Sequence, residues 1–194
     1  MDRLLLATRN RHKAREFVEI LGNEFQIRDL SDLRIEPVEE TGQTFAENAI
    51  LKAIAVSRES DSLVIADDSG LEVHALGGAP GIFSARYAGQ GTSDSKNIEK
   101  LRDELANCCH EQRSARFRCV IALARGGELL KTFEGVVEGI IVDQPRGQKG
   151  FGYDPVFQPN GFEETFGELD PVVKNRISHR AKAIATLREF LRTH

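Results

Sequence analysis

Two adjacent carboxylates, Asp67 and Asp68, follow the apolar run Leu63-Val64-Ile65-Ala66, and a second acidic pair, Glu39-Glu40, lies upstream. Neighbouring side chains on an extended chain point in different directions, so one carboxylate can take a metal while the other orients a water. Mg²⁺ suits this sparse oxygen set, because it retains waters and draws further ligands from substrate phosphates. Burying that much negative charge without a cation is costly. The plain alternative is a solvated acidic turn at Glu39-Glu40 and a capped loop at Asp67-Asp68.

A second group sits in the turn Thr8-Arg9-Asn10-Arg11-His12 and the residue after it, Lys13. Here a strand turns into a helix, so backbone N–H groups and the positive end of the helix dipole converge as an anion site. Arg11, His12 and Lys13 add positive charge where it destabilises a helix, a conflict that a bound polyphosphate resolves. The spacing is not that of a P-loop, and a polar N-cap turn with solvated charges fits the same residues. Lys52, on a predicted helix, can lean toward the acidic loop or lie in solvent.

The third group is Gly150-Phe151-Gly152-Tyr153-Asp154-Pro155. Glycine lets this backbone approach a ligand, and Phe151 can stack on a base or serve as a core aromatic beside a tight turn. The fourth is Lys174 with Ser178-His179-Arg180. His179 and Arg180 both donate hydrogen bonds, which suits a 6-oxo purine edge and not the 6-amino group of adenine. An exposed, capped helix start is the alternative.

These residues need elements to hold them. Residues 3–7 read as a buried strand and residues 13–21 as a helix with Phe17, Ile20 and Leu21 on one face and Gly22 as its stop. Residues 45–58 read as a second helix, because Thr44 and Glu47 have capping-box spacing and Phe45, Ala49, Ala53 and Val56 recur at helical period. Residues 63–66 read as a strand that ends at Asp67-Asp68-Ser69-Gly70. A loop at residues 77–81, a helix over 93–107 and a hairpin of 116–124 with 129–137 around Gly126-Gly127 follow. Residues 138–143 read as a further strand and 145–159 as a Gly- and Pro-rich loop. A last helix begins at Ser178 with Ala181, Ile184, Leu187 and Leu191 inward. The pattern is one α/β unit with a mixed sheet, and no repeat or linker interrupts it.

The chain has 194 residues, 40% hydrophobic and 29% charged, enough for one domain with a core of its own. Its net charge of -4 offers no global positive field for a polynucleotide, and no segment is long and apolar enough to span a membrane. The apolar run Leu4-Leu5-Leu6-Ala7 is too short for a secretory signal. Three cysteines, with Cys108 and Cys109 adjacent, make neither a disulfide framework nor a zinc site, so a reducing interior is the simplest compartment.

Taken together, ATRNRHK from Ala7, EETGQTFAENA from Glu39, ADDSGLEV from Ala66, GGAPGIFSARYAG from Gly77, GFGYDPVF from Gly150 and KNRISHRAKA from Lys174 resemble the inosine/xanthosine triphosphate pyrophosphatase family. The likeness covers nearly the whole chain, and six motifs in order are far more specific than any one. It implies a single domain over residues 1–194: an elongated mixed β-sheet flanked by helices, with two lobes and a central substrate cleft. It implies a cytoplasmic, Mg²⁺-dependent homodimer that cuts dITP/ITP and dXTP/XTP into monophosphate and pyrophosphate, cleansing the nucleotide pool.

Residue by residue, the resemblance makes Thr8, Asn10, Lys13 and Lys52 triphosphate contacts, with Arg9, Arg11 and His12 in the same substrate-binding turn. Asp68 becomes general base and metal ligand, with Glu39 or Glu40 sharing the metal. Ser69 becomes a substrate contact, and Phe151, Gly152, Tyr153, Asp154, Lys174, His179 and Arg180 form the base and sugar pocket. Residues 77–87 resemble a segment near the dimer contact. Where the family usually has glycine before the phosphate-binding lysine, this chain has His12, which adds bulk or a donor there. Two other functions remain compatible with the residues alone: a related pyrophosphatase acting on modified pyrimidine nucleotides, and a non-catalytic nucleotide-binding sensor.

Overall fold

The polar residues that punctuate the sequence set most element boundaries, and buried ion pairs override them at one place. A computed structural model describes residues 3–30 and 35–193. In chain order the elements are β1 (Arg3–Leu6), α1 (Arg11–Leu21), β2 (Gln26–Asp29), α2 (Phe45–Arg58), β3 (Leu63–Val73), α3 (Asp94–Glu104), β4 (Ser114–Arg125), β5 (Glu128–Ile141), β6 (Phe157–Pro159), α4 (Pro171–Ile177) and α5 (His179–Thr193). The strands form one sheet in the order β2-β1-β3-β4-β5-β6. β1 is parallel to both β2 and β3, whereas β5 and β6 are antiparallel, so the sheet is mixed as expected. Gly126 and Gly127, with φ of 59° and 85°, make the two-residue turn between β4 and β5, where two positive φ values are the hairpin requirement.

By contact density the chain divides into two compact units, and β3, β4 and β5 contribute residues to both. The first comprises residues 1–68, 119–135 and 180–194. Its core brings Phe17 and Leu21 of α1 and Ala183, Ile184 and Leu187 of α5 against Leu4, Leu6, Ile65 and Ile121 of the sheet. Leu5, Val64 and Ala66, which point to the other face, are buried as well, so these strands are covered on both faces. The inward residues Ala181, Ile184 and Leu187 are buried as the helical period predicts, and Leu191 is half-buried against the same core.

The second unit comprises residues 69–118 and 136–179. Its core joins Leu71 and Val73 to Ile98 and Leu101 of α3, Phe117 of β4, and the aromatic group Tyr153, Phe157 and Phe166. Phe117 packs edge-on to Phe157 with centroids 4.7 Å apart and stacks on Phe166 at 6.1 Å, geometries that add to simple area burial.

The structure corrects the boundary at Asp67-Asp68. β3 does not end there but runs on through Val73, so both carboxylates lie within the strand. Charges and a glycine read as a strand end because an uncompensated carboxylate is too costly to bury; here each carboxylate meets partners from neighbouring helices. The segment expected as two strands over 129–143 is the single strand β5. Two short strands, β2 and β6, and the helix α4 were not anticipated. α4 carries a start signal, since Asp170 Oδ1 accepts from Val172 N at 2.8 Å and Pro171 occupies the first turn.

Candidate functional site

In the first unit, α1 begins where β1 ends. Asn10 caps it, its Oδ1 accepting from the backbone N–H of His12 at 2.9 Å and of Lys13 at 3.2 Å, and Thr8 Oγ1 accepts from Asn10 N at 3.2 Å. The cap therefore takes up two of the N–H groups that the turn was expected to offer an anion. What the turn presents instead is side-chain charge: no acidic residue lies in the first turn of α1, while Arg9, Arg11 and His12 are exposed. An open pocket of about 290 Å³ beside it is lined by Thr8, Arg9, Asn10, Arg11, Ala14, Asp29 and Leu30.

Lys13, half-buried, turns toward the sheet and places Nζ 3.0 Å from Asp67 Oδ2. Arg180, only 1% exposed on α5, pairs through NH2 with the same oxygen at 3.3 Å and through NH1 with Glu16 of α1. Burial alone would raise the Asp67 carboxyl, but the charges of Lys13, Arg180 and Lys52 outweigh it and hold the group well below the usual carboxylate range. Arg180 is likewise held above its ordinary value: burial opposes its charge, and Asp67 and Glu16 more than offset that.

Asp68, one residue on, meets a different set. Asn48 Nδ2 of α2 donates to Asp68 Oδ2 at 3.1 Å, and Lys52 Nζ lies 3.8 Å from Asp68 Oδ1. Lys52 Nζ also donates to Glu40 Oε1 at 2.7 Å. Burial is the largest influence on Asp68 and raises its pKa; Lys52 and Lys13 pull it down, Glu40 pushes it up, and the net direction is upward. For Lys52 burial lowers the pKa, but Asp68, Asp67 and Glu40 raise it further, so its ammonium is stabilised.

The acidic pair left open by the sequence is now separated: Glu40 is half-buried beside Lys52, and Glu39 is exposed. Among the described residues no group of three or more His, Cys, Asp or Glu could hold a metal by itself. Asp68 and Glu40, both tied to one lysine, nevertheless make the kind of donor pair that fits Mg²⁺, an ion bound through one or two carboxylates together with waters and phosphates.

The second unit holds the remaining candidates. Asp154 Oδ2 accepts from Phe151 N at 2.8 Å and from Lys174 Nζ at 2.6 Å, and Lys174 Nζ stands 5.1 Å from the centroid of the half-buried Phe151 ring. Asp94, in the first turn of α3, accepts from Gly152 N at 2.7 Å. The Tyr153 hydroxyl donates to Ser84 O at 2.9 Å, and its burial raises the phenol pKa. Tyr153 is thus an anchor for the loop. The His179 ring stacks on Phe117 with centroids 4.8 Å apart at 13°. Ser69 is half-buried in β3.

Sequence reasoning missed Asn48, Glu16, Asp94 and Phe117. Asn48 and Glu16 carried a faint signal, a polar residue on or beside the apolar face of an amphipathic helix; Asp94 and Phe117 carried none, because their partners are 58 and 62 positions away along the chain.

These features define a mixed-sheet α/β protein with a buried carboxylate and lysine centre and a separate aromatic, cation-bearing loop. A Ham1 family model matches residues 4–190, and the chain belongs to that family. It is 49% identical over 193 residues to the dITP/XTP pyrophosphatase of Bacillus licheniformis, with 98% of each chain covered. Among solved structures it is similar to a HAM1 protein from Coxiella burnetii, with a TM-score of 0.91, 41% identity and 100% of each chain covered. It also resembles the Staphylococcus aureus Ham1 protein, at a TM-score of 0.89 and 44% identity over 99% of each chain. Among the described residues no helix is long and apolar enough to cross a membrane.

Proposed function

We propose that this protein is a cytoplasmic, Mg²⁺-dependent nucleoside triphosphate pyrophosphatase that hydrolyses dITP/ITP and dXTP/XTP to the monophosphate and pyrophosphate. The observation that carries the reading is the buried Asp68, set between the Asn48 amide and the Lys52 ammonium with Glu40 on the far side of that lysine. The likeness to a dITP/XTP pyrophosphatase over 98% of both chains supports the substrate class.

In this reading Thr8, Arg9, Asn10, Arg11, His12, Lys13 and Lys52 receive the polyphosphate. Asp68 takes a proton from water as its oxygen bonds to the α-phosphorus. The bond from that phosphorus to the α-β bridging oxygen breaks, and pyrophosphate departs against the lysine charges. Asp68 and Glu40 would hold Mg²⁺, which would supply charge neutralisation on the phosphates. Most of the rate comes from positioning and from fixed positive charge that needs no reorganisation.

Phe151, Gly152, Tyr153, Asp154, Lys174, His179 and Arg180 are assigned to the base and sugar, and Ser69 to a substrate contact. His179 and Arg180 offer donors to a 6-oxo group; a 6-amino group leaves buried donors facing donors, which penalises ATP. A homodimer, with residues 77–87 near its contact, completes the reading. The deciding experiment is hydrolysis of ITP, dITP, XTP, GTP and ATP side by side with and without Mg²⁺, with pyrophosphate separated from phosphate. Magnesium-dependent pyrophosphate release favouring ITP and XTP is expected; equal efficiency on ATP, or tight ITP binding without turnover, overturns the proposal.

A further inference from the structure

Asn48 is fully buried in the first turns of α2, and both ends of its side chain are used. Its Oδ1 accepts from Gly42 N at 2.8 Å and its Nδ2 donates to Asp68 Oδ2 at 3.1 Å. The orientation of the amide is dictated by chemistry: Gly42 N can only donate, so the carbonyl end must face it and the NH₂ end must face Asp68.

Gly42 is two residues beyond Glu40, so the amide is a strut between the loop carrying Glu40 and the strand carrying Asp68. The close approach needs glycine, because a Cβ at position 42 would lie 2.7 Å from Asn48 Oδ1 and 2.7 Å from Glu47 Cβ. The loop is pinned a second time at the same helix end. Thr44 Oγ1 accepts from Glu47 N at 3.1 Å, and Glu47 Oε2 accepts from Gln43 N at 2.6 Å.

We infer that Asn48 is a positioning residue for the proposed reaction, holding Asp68 Oδ2 so that Oδ1 faces Lys52 and keeping Glu40 in register with it. The inference deepens the pyrophosphatase reading and rests on it. Removing a partner that orients a metal-binding or reacting carboxylate weakens metal affinity or activity by roughly 10- to 100-fold.

Three proteins are compared: wild type, Asn48→Ala and Gly42→Ala. The second variant pushes the loop off the amide while leaving the amide in place. For each, kcat and KM for dITP are measured, Mn²⁺ binding to the nucleotide-free protein is followed by electron paramagnetic resonance, and folding is checked by circular dichroism. Both variants should fold, lose about 10- to 100-fold in kcat with KM changed less than about threefold, and bind Mn²⁺ about tenfold more weakly. A rise in KM at unchanged kcat, or Mn²⁺ binding equal to wild type in folded Asn48→Ala, overturns the inference. Should Asn48→Ala not fold, Gly42→Ala decides on the same criteria. Wild type that binds Mn²⁺ but hydrolyses no nucleotide sinks the pyrophosphatase reading, while the Mn²⁺ comparison still judges the strut.

Discussion

Asp67 and Asp68 are consecutive residues of one strand, both buried, yet their carboxylates are held in opposite directions of acidity. The pleat sends them to opposite faces of the sheet. Asp67 meets Lys13 of α1 and Arg180 of α5, and Asp68 meets Asn48 and Lys52 of α2. The charges around Asp67 outweigh its burial and favour its ionised form, whereas for Asp68 burial is only partly compensated.

From this division it follows that Asp68→Asn keeps the fold and loses turnover. The amide is nearly isosteric, so thermal unfolding should shift little, while removal of a general base costs roughly 10²- to 10⁴-fold in kcat. Steady-state kinetics on dITP checks this; near-normal turnover removes Asp68 from its assigned role.

Glu40 and Glu39 should separate cleanly. Glu40→Gln removes the charge that faces Lys52 and is expected to raise the Mg²⁺ concentration needed for half-maximal rate by about tenfold. Glu39→Gln, on an exposed side chain, should stay within about twofold of wild type. Metal titrations of activity on the two variants give the comparison, and a larger effect from Glu39 would reassign the ligand.

Asp67 makes the acid limb of stability. Because its folded pKa lies well below the ordinary 3.8, the stability it contributes is fully present above 3.8 and is lost as pH falls from there through the folded value. Asp68 works in the other sense: its raised pKa favours the protonated form in the folded state, so its contribution declines as pH rises through 3.8 toward the folded value. Asp67→Asn should therefore lower stability at pH 7 by about 3–5 kcal/mol, since it leaves Arg180 and Lys13 poorly paired. It should also flatten the further fall in stability as pH drops below about 4 toward the lower folded pKa of Asp67. Urea midpoints across that range test both parts.

The thiols should label unequally. Cys119 is buried in the core of the first unit, and its pKa is pushed up to about 12, by burial first and then by Asp67. Cys109 is exposed and Cys108 half-buried. Brief treatment of the native protein with iodoacetamide, followed by mass spectrometry of peptides, should find Cys109 modified first and Cys119 unmodified until the protein is unfolded.

Much of this architecture was legible in the chain. The helical period of Phe45, Ala49, Ala53 and Val56, the Thr44 and Glu47 cap, the Gly126-Gly127 turn and the inward face of the last helix are local patterns, and local patterns are what a sequence displays. The short strands β2 and β6 were hidden because runs of four and three residues carry too little periodicity to stand out from a loop.

The site divided in the same way. The residue types and their order along the chain already displayed a basic turn, an acidic pair and an aromatic loop, because those side chains are visible wherever they later meet. Only the folded protein chose Glu40 over Glu39 as the neighbour of Lys52, carried β3 through two carboxylates, and bound Arg180 to Glu16, 164 positions away. The reason is that the energy of a buried charge depends on partners brought together by folding, and no pattern along the chain records which helix will supply them.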